Sequence, residues 1–202
     1  MSTTTIGTSP RTQEAAAHGT PEAEAVATLV VAFAADPVIR WLLPGGRSYL
    51  DGFTELVRLV SRAAFAAGTA DCAPGTAGAA VWLAPGTSLP DEEAGEILGR
   101  SVAEHHQADA FSLLERMDEQ HPTEPHWYLP FIGVDPGRQG RGHGSALLRI
   151  GLARCDRDGL PAYLEASSPR NRALYERHGF ETVAEIRVAD SPPLWPMRRP
   201  AR

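Results

Sequence analysis

Apolar residues fall at helical spacing in the first third of the chain. Val26, Leu29, Val30 and Phe33 form one stripe, which predicts a helix over Ala23 to Ala35. Thr20-Pro21 supplies a cap and a first-turn proline, and Asp36-Pro37 breaks the run. Val38 to Leu43 is a short apolar turn carrying Trp41. Phe53, Leu56, Val57, Val60 and Ala64 then predict a second helix from Tyr49 to Ala67. Short strands are expected at Thr69–Cys72 and Ala77–Leu83, each ended by a Pro-Gly pair. Helical stretches follow at Pro90–Ala108 and Phe111–Gln120. His126 to Val134 reads as the central strand, with Pro130 removing one ladder donor. Beyond it come a helix from Ser145 to Asp158, a strand from Pro161 to Glu165, and a helix capped by Ser168-Pro169 and Gly179-Phe180. Glu181–Val188 and Pro193–Arg198 are expected to close the sheet as a hairpin.

This alternation predicts an α/β (α+β) protein in one domain over residues 21–202, behind a disordered tail at residues 1–20 that is rich in Thr, Ser, Ala and Gly. A net charge of −6 argues against a general nucleic-acid binder. No apolar run suggests a signal peptide or a membrane span, so a cytoplasmic protein is expected. Cys72 and Cys155 lack metal-ligand spacing, and the adjacent pair His105-His106 points apart on a helix, so no metal site is expected.

The chemistry concentrates between the central strand and the helix after it. Gly137, Gly140, Gly142 and Gly144 interleave with Arg138, Gln139 and Arg141, directly before a helix N-terminus. Glycines let successive N–H groups converge on one anion, and the helix end adds partial positive charge. The loop lacks the Gly-Lys-Ser/Thr ending of a P-loop. Gly140-x-Gly142-x-x-Ser145 approximates a dinucleotide fingerprint, with Glu165 about 20 residues on as its ribose acid. Its third position is Ser, however, and too little chain follows to build a doubly wound sheet.

Gln139-x-x-Gly142-x-Gly144 after a strand end resembles motif A of the GNAT superfamily of acyl-CoA-dependent N-acyltransferases. Asn171-x-x-x-Tyr175-x-x-x-Gly179-Phe180 resembles its motif B. The stretch Glu124-Pro125-His126-Trp127-Tyr128-Leu129 and the residues around Glu165 are most similar to the puromycin N-acetyltransferase-like group. The resemblance implies a mixed sheet of about six or seven strands flanked by helices, with residues 90–120 as a helical insertion before the cofactor-binding strand. It also implies splaying of that strand from its neighbour, acetyl-CoA as donor and a small-molecule primary amine as acceptor. No nucleic-acid or membrane partner is implied, and a monomer or a homodimer is expected.

By the same resemblance, the backbone from Gln139 through Gly140, Arg141, Gly142, His143 and Gly144 to Ser145 holds the pyrophosphate. A backbone N–H near Val134 meets the thioester oxygen, Asn171 binds the pantetheine arm and Tyr175 protonates the thiolate. Arg138 or Arg141 adds a charged contact or stays solvated. Glu165 is a general base, a base acting through water, an ammonium anchor or an orienting group, and His126 is a second base candidate. Trp41, Trp82, Trp127 and Tyr128 are candidates for the acceptor pocket. A non-catalytic acyl-CoA-binding or regulatory module is the alternative function.

Overall fold

The computed structural model describes residues 20–87 and 90–202. The expected tail therefore lies, over residues 1–19, outside the described residues. Thr20 accepts a bond from the Ala23 N–H and opens α1 (Pro21–Ala32), and Asp36 caps α2 (Pro37–Leu42). A single turn, α3 (Gly46–Ser48), passes through a π-helical segment (Tyr49–Phe53) into α4 (Thr54–Ala67), so the predicted second helix is continuous but irregular at its start. Strands β1 (Ala70–Cys72) and β2 (Gly78–Leu83) follow. Helices α5 (Asp91–Ser101) and α6 (Gln107–Gln120), joined by a 3-10 turn, make up the insertion. The rest of the chain runs through β3 (Trp127–Val134), α7 (His143–Asp158), β4 (Ala162–Ala166), α8 (Pro169–Glu176), β5 (Glu181–Thr182) and β6 (Trp195–Arg199).

The six strands form one sheet in the order β1-β2-β3-β4-β6-β5. Every pairing is antiparallel except β3 with β4, so the sheet is mixed and the doubly wound dinucleotide fold is ruled out. The closing hairpin is shorter than expected. Only Glu181 and Thr182 pair with β6, and a single bridge from Ile186 to Leu194 continues it.

Two cores sandwich the sheet. Leu29, Phe53, Val57, Val81, Leu113 and Phe131 pack α1, α4 and the insertion on one face. Trp82, Leu129, Leu147, Leu148, Leu152 and Leu164 pack α7 on the other. A Cβ placed on Gly151 of α7 would lie 2.1 Å from the Trp82 indole, so the helix can approach the sheet this closely only without a side chain there.

The parity of β3 reverses partway along. Trp127 and Leu129 face the α7 core, whereas Phe131 faces the α1 core and Ile132 the α7 core. The register against β2 slips at the same place: Leu83 is opposite Tyr128, but Val81 is opposite Phe131. Leu129-Pro130 thus carries one extra residue, a β-bulge, located where proline has no N–H to give the ladder.

Candidate active site

The bulge coincides with a fork. β3 and β4 pair only at Trp127–Ala162 and Tyr128–Tyr163 and then diverge, while β3 stays paired to β2 through Val134. The Asp135 N–H donates to the Ala77 carbonyl at 3.0 Å, toward β2. Backbone alternation then turns the peptide groups of Ile132 and Val134 the other way, into the gap beside β4. Gln139 Nε2 donates to the Val134 carbonyl at 3.3 Å, from that same side.

A cleft of 520 Å3 fills this gap. Its upper wall is the loop before α7. Gly140 (φ 77°) and Gly142 (φ 84°) both adopt the left-handed conformation, and Gly142 caps α7 without a side chain. The N–H groups at the start of α7 therefore open onto the cleft, which His143, Gly144 and Ser145 line. Across the cleft, Ser168 accepts from the Asn171 N–H at 3.2 Å and opens α8, which brings Asn171 and Tyr175 to the same lining one turn apart. Arg170 and Arg177 add positive charge from that helix. Tyr175 is buried and packs on Phe180 at 6.0 Å between ring centroids. Burial raises the pKa of its hydroxyl, as does the carboxylate of Asp36.

Asp36 forms the floor. Its Oδ1 accepts from the N–H groups of Val38 (3.1 Å) and Ile39 (3.0 Å), while its Oδ2 accepts from the Ser167 hydroxyl at the end of β4. One carboxyl thus ties the α1–α2 corner to the far strand of the fork. Burial raises its pKa against these hydrogen bonds.

Glu165 lies two residues beyond the last β3–β4 pair, on the side of the sheet facing α1 and α6. Tyr128 donates to its Oε2 at 2.9 Å. Oε1 is buried without a hydrogen-bond partner among the described residues, and so is the Tyr163 hydroxyl. Burial pushes the Glu165 carboxyl from 4.5 up to about 7, opposed first by the Tyr128 hydrogen bond and then by the nearby Tyr163 hydroxyl, which lies outside hydrogen-bond geometry. His121 packs edge-on against both tyrosines, at 4.8 and 4.9 Å, and its Nε2 lies 3.1 Å from Nε2 of His126. His126 Nδ1 meets the Glu124 carbonyl at 2.8 Å, which requires that nitrogen to carry the proton. With that proton on Nδ1, His126 Nε2 accepts from the Nε2–H of His121.

Residues 75–180 match the sequence profile of the Acetyltransferase (GNAT) family, more than half of the chain. The chain belongs to the GNAT acetyltransferase family. An uncharacterised N-acetyltransferase of Schizosaccharomyces pombe is 30% identical over 177 residues, covering 78% of this chain and 69% of that protein. A mycothiol acetyltransferase of Beutenbergia cavernae is 49% identical over 57 residues, which is 26% of this chain and 19% of that one. Among solved structures, a Corynebacterium glutamicum protein described as histone acetyltransferase HPA2 and related acetyltransferase is 29% identical, with a TM-score of 0.67 over 92% of this chain and 94% of its own. Arylalkylamine N-acetyltransferase 2 of Aedes aegypti shares the fold at 14% identity, with a TM-score of 0.62 over 90% and 94% of the two chains.

Within this GNAT fold, Val134, Gln139, Gly140, Gly142, His143, Gly144, Ser145, Asn171 and Tyr175 all line one cleft. Arg141 and Glu165 do not: Arg141 is exposed outside the lining, Glu165 is held by Tyr128 beside it, and Arg138 turns toward the Gly75 turn. Sequence reading passed over Asp36, Arg170 and Arg177. Asp36 looked like a helix breaker because capping and cleft roles use the same residue type. Trp82 and Trp127 require correction as acceptor contacts: both are buried in the core under α7, and the Trp127 indole donates to Asp158 at 3.1 Å. Trp41 is different. It remains half-buried on the opposite face, donates to Asp190 at 2.9 Å and packs on His106 at 4.2 Å. Among the described residues no group of three or more His, Cys, Asp or Glu could hold a metal ion, and no helix is long and apolar enough to cross a membrane.

Proposed function

We propose that this protein transfers the acetyl group of acetyl-CoA to a primary amine of a small molecule by direct attack. The observation that carries the reading is the unpaired edge of β3 running from the fork to the N-terminus of α7, faced by Asn171 and Tyr175. A slender arm can pair with that edge as a missing strand would, while the diphosphate at its end meets the N–H groups of His143, Gly144 and Ser145. The inward peptide groups of Ile132 and Val134 offer N–H donors to the thioester oxygen as charge develops there.

Glu165 is the base. With its carboxyl pushed to about 7 and Oε1 without a hydrogen-bond partner among the described residues, it first takes a proton from the acceptor ammonium, and the lone pair so freed attacks the carbonyl carbon. The C–S bond breaks as the Tyr175 hydroxyl donates its proton to the departing sulfur, and the second N–H proton, lost from the tetrahedral intermediate as the amide forms, restores the Tyr175 phenol through solvent. Burial keeps that phenol protonated at neutral pH, so the donor is always loaded, at the cost of an uphill transfer to a thiolate of pKa about 8.5. The cysteines have no part in this chemistry: Cys155 is buried under α7, and Cys72 lies on β1.

The acceptor side is bounded by the insertion, with Trp41 and Tyr128 its aromatic contacts, which favours an amine on an apolar or aromatic body, as in the puromycin N-acetyltransferase-like group. Release of free thiol from acetyl-CoA on addition of an amine panel tests the reading. Amine-dependent thiol release is expected; acetyl-CoA binding without release for any amine would favour the non-catalytic module instead.

A further inference from the structure

Two polar atoms stand unpaired on the α1 side of the sheet. Glu165 Oε1 and the Tyr163 hydroxyl are both buried, and neither has a hydrogen-bond partner among the described residues. The two residues alternate onto the same face of β4, and each influences the other's ionisation, so they are close neighbours. A carboxylate oxygen and a phenol left unpaired in the same buried spot are costly to the folded chain, and such atoms call for an explanation.

What the pair lacks is a donor. Arg198 of β6 is directly opposite Tyr163 and is the cation best placed to supply one, but its guanidinium turns to Glu124 at 2.6 Å. The other neighbours are rings. The centroids of His121, Tyr128 and His126 lie 4.9, 5.8 and 5.9 Å from that of Tyr163. The Tyr128 hydroxyl is already committed to Glu165 Oε2, and His126 Nε2 to His121. Two oxygens without donors, set among aromatic rings, make a receptor for a cation that carries more than one N–H.

We infer that Tyr163 is an acceptor-binding residue: its hydroxyl and Glu165 Oε1 each accept one N–H of the substrate ammonium. The inference rests on the acetyl-transfer reading above and deepens it. Glu165 alone would lose its charge, and with it most of its hold on the nitrogen, on taking the proton. Tyr163 retains a second N–H through that step, so the nitrogen stays in place while its lone pair is freed. Burial, and after it the Glu165 carboxylate, raises the pKa of the Tyr163 hydroxyl, so the phenol keeps its own proton and receives the N–H on a lone pair.

The test compares wild type with Tyr163→Phe by thiol release, with phenylethylamine and every other panel amine that releases thiol as acceptors. Loss of a hydrogen bond to a charged group predicts a rise of about tenfold or more in the KM for the amine. The KM for acetyl-CoA should not move. The Tm should be unchanged or higher, because the variant removes a hydroxyl that has no partner until the amine arrives. An unchanged amine KM would overturn the inference and leave the function intact. A Tm lower by several degrees, or failure to fold, would make the hydroxyl a structural one and overturn it too. Wild type that binds acetyl-CoA but releases no thiol with any panel amine would refute the function reading itself, and the inference would fall with it.

Discussion

Replacing Glu165 with Gln separates the chemistry of the carboxylate from the energetic cost of burying it. The folded-state pKa is about 7 against an ordinary 4.5, with burial the larger influence and Tyr128 the principal opposing contact. Below 4.5 the carboxyl is neutral in both folded and unfolded chains, and its full contribution to stability is present. As pH rises, the unfolded chain ionises first, so stability falls until pH passes the folded-state value. At about 1.4 kcal/mol per pH unit the full loss is about 3 kcal/mol by pH 8, of which less than about 1 kcal/mol has been lost at pH 5. Gln keeps the shape and still accepts from Tyr128, but it never ionises. Urea denaturation of both proteins at pH 5 and pH 8 should show Glu165→Gln gaining about 2 kcal/mol relative to wild type at the higher pH, with thiol release falling by about 100-fold or more. Wild-type kcat/KM should rise with pH through an apparent pKa near 7. Parallel stability of the two proteins at both pH values would refute the buried-carboxylate argument, and retained activity in Glu165→Gln would refute the base.

Tyr175→Phe should lower kcat by about 100-fold with little change in the KM for acetyl-CoA; an unchanged kcat in steady-state assays would remove the general-acid role. Gly151→Ala places a methyl group 2.1 Å from the Trp82 indole and should destabilise the protein by about 1–3 kcal/mol, read as a fall of several degrees in Tm with Trp fluorescence as the probe. Gly142→Ala forces a left-handed φ of 84° on a residue with a Cβ, at about 1–2 kcal/mol, and the resulting shift of the cradle should raise KM for acetyl-CoA more than it lowers kcat. A calorimetric affinity for acetyl-CoA equal to wild type in that variant would show that the cradle does not depend on this turn.

The cleft is largely legible in the sequence because local rules write it. Glycines at 140 and 142 are needed for positive φ, Ser168-Pro169 opens a helix by capping chemistry, and an i,i+4 spacing puts Asn171 and Tyr175 on one face. None of these depends on what packs against what. Trp82, Trp127 and Glu165 are another matter. Their roles depend on which face of the sheet each side chain takes, and β2 and β3 contain no charged residues whose alternation would reveal it. Both tryptophans turn out to be core, and the contact of Asp36 with Ser167, 131 residues later, is one that no local rule reveals.

Pro130 shows how one residue can be read correctly in isolation and still conceal its consequence. The missing N–H predicts a weakened ladder, and the fork opens there. The same residue sits in the bulge that reverses side-chain parity, and this reversal lets β3 serve two purposes. Before the bulge, Tyr128 points to the α1 side and holds Glu165; after it, Phe131 takes that side and Ile132 packs on the α7 side. Without the extra residue, Phe131 would follow Leu129 into the α7 core, and Ile132 would follow Tyr128 toward α1. The inward turn of the Ile132 and Val134 peptide groups would be lost with it, since backbone and side-chain alternation are locked together in a strand. The base on one side of the sheet and the open strand edge beside the cleft are therefore set by one bulge, at a position where proline makes an uninterrupted ladder impossible.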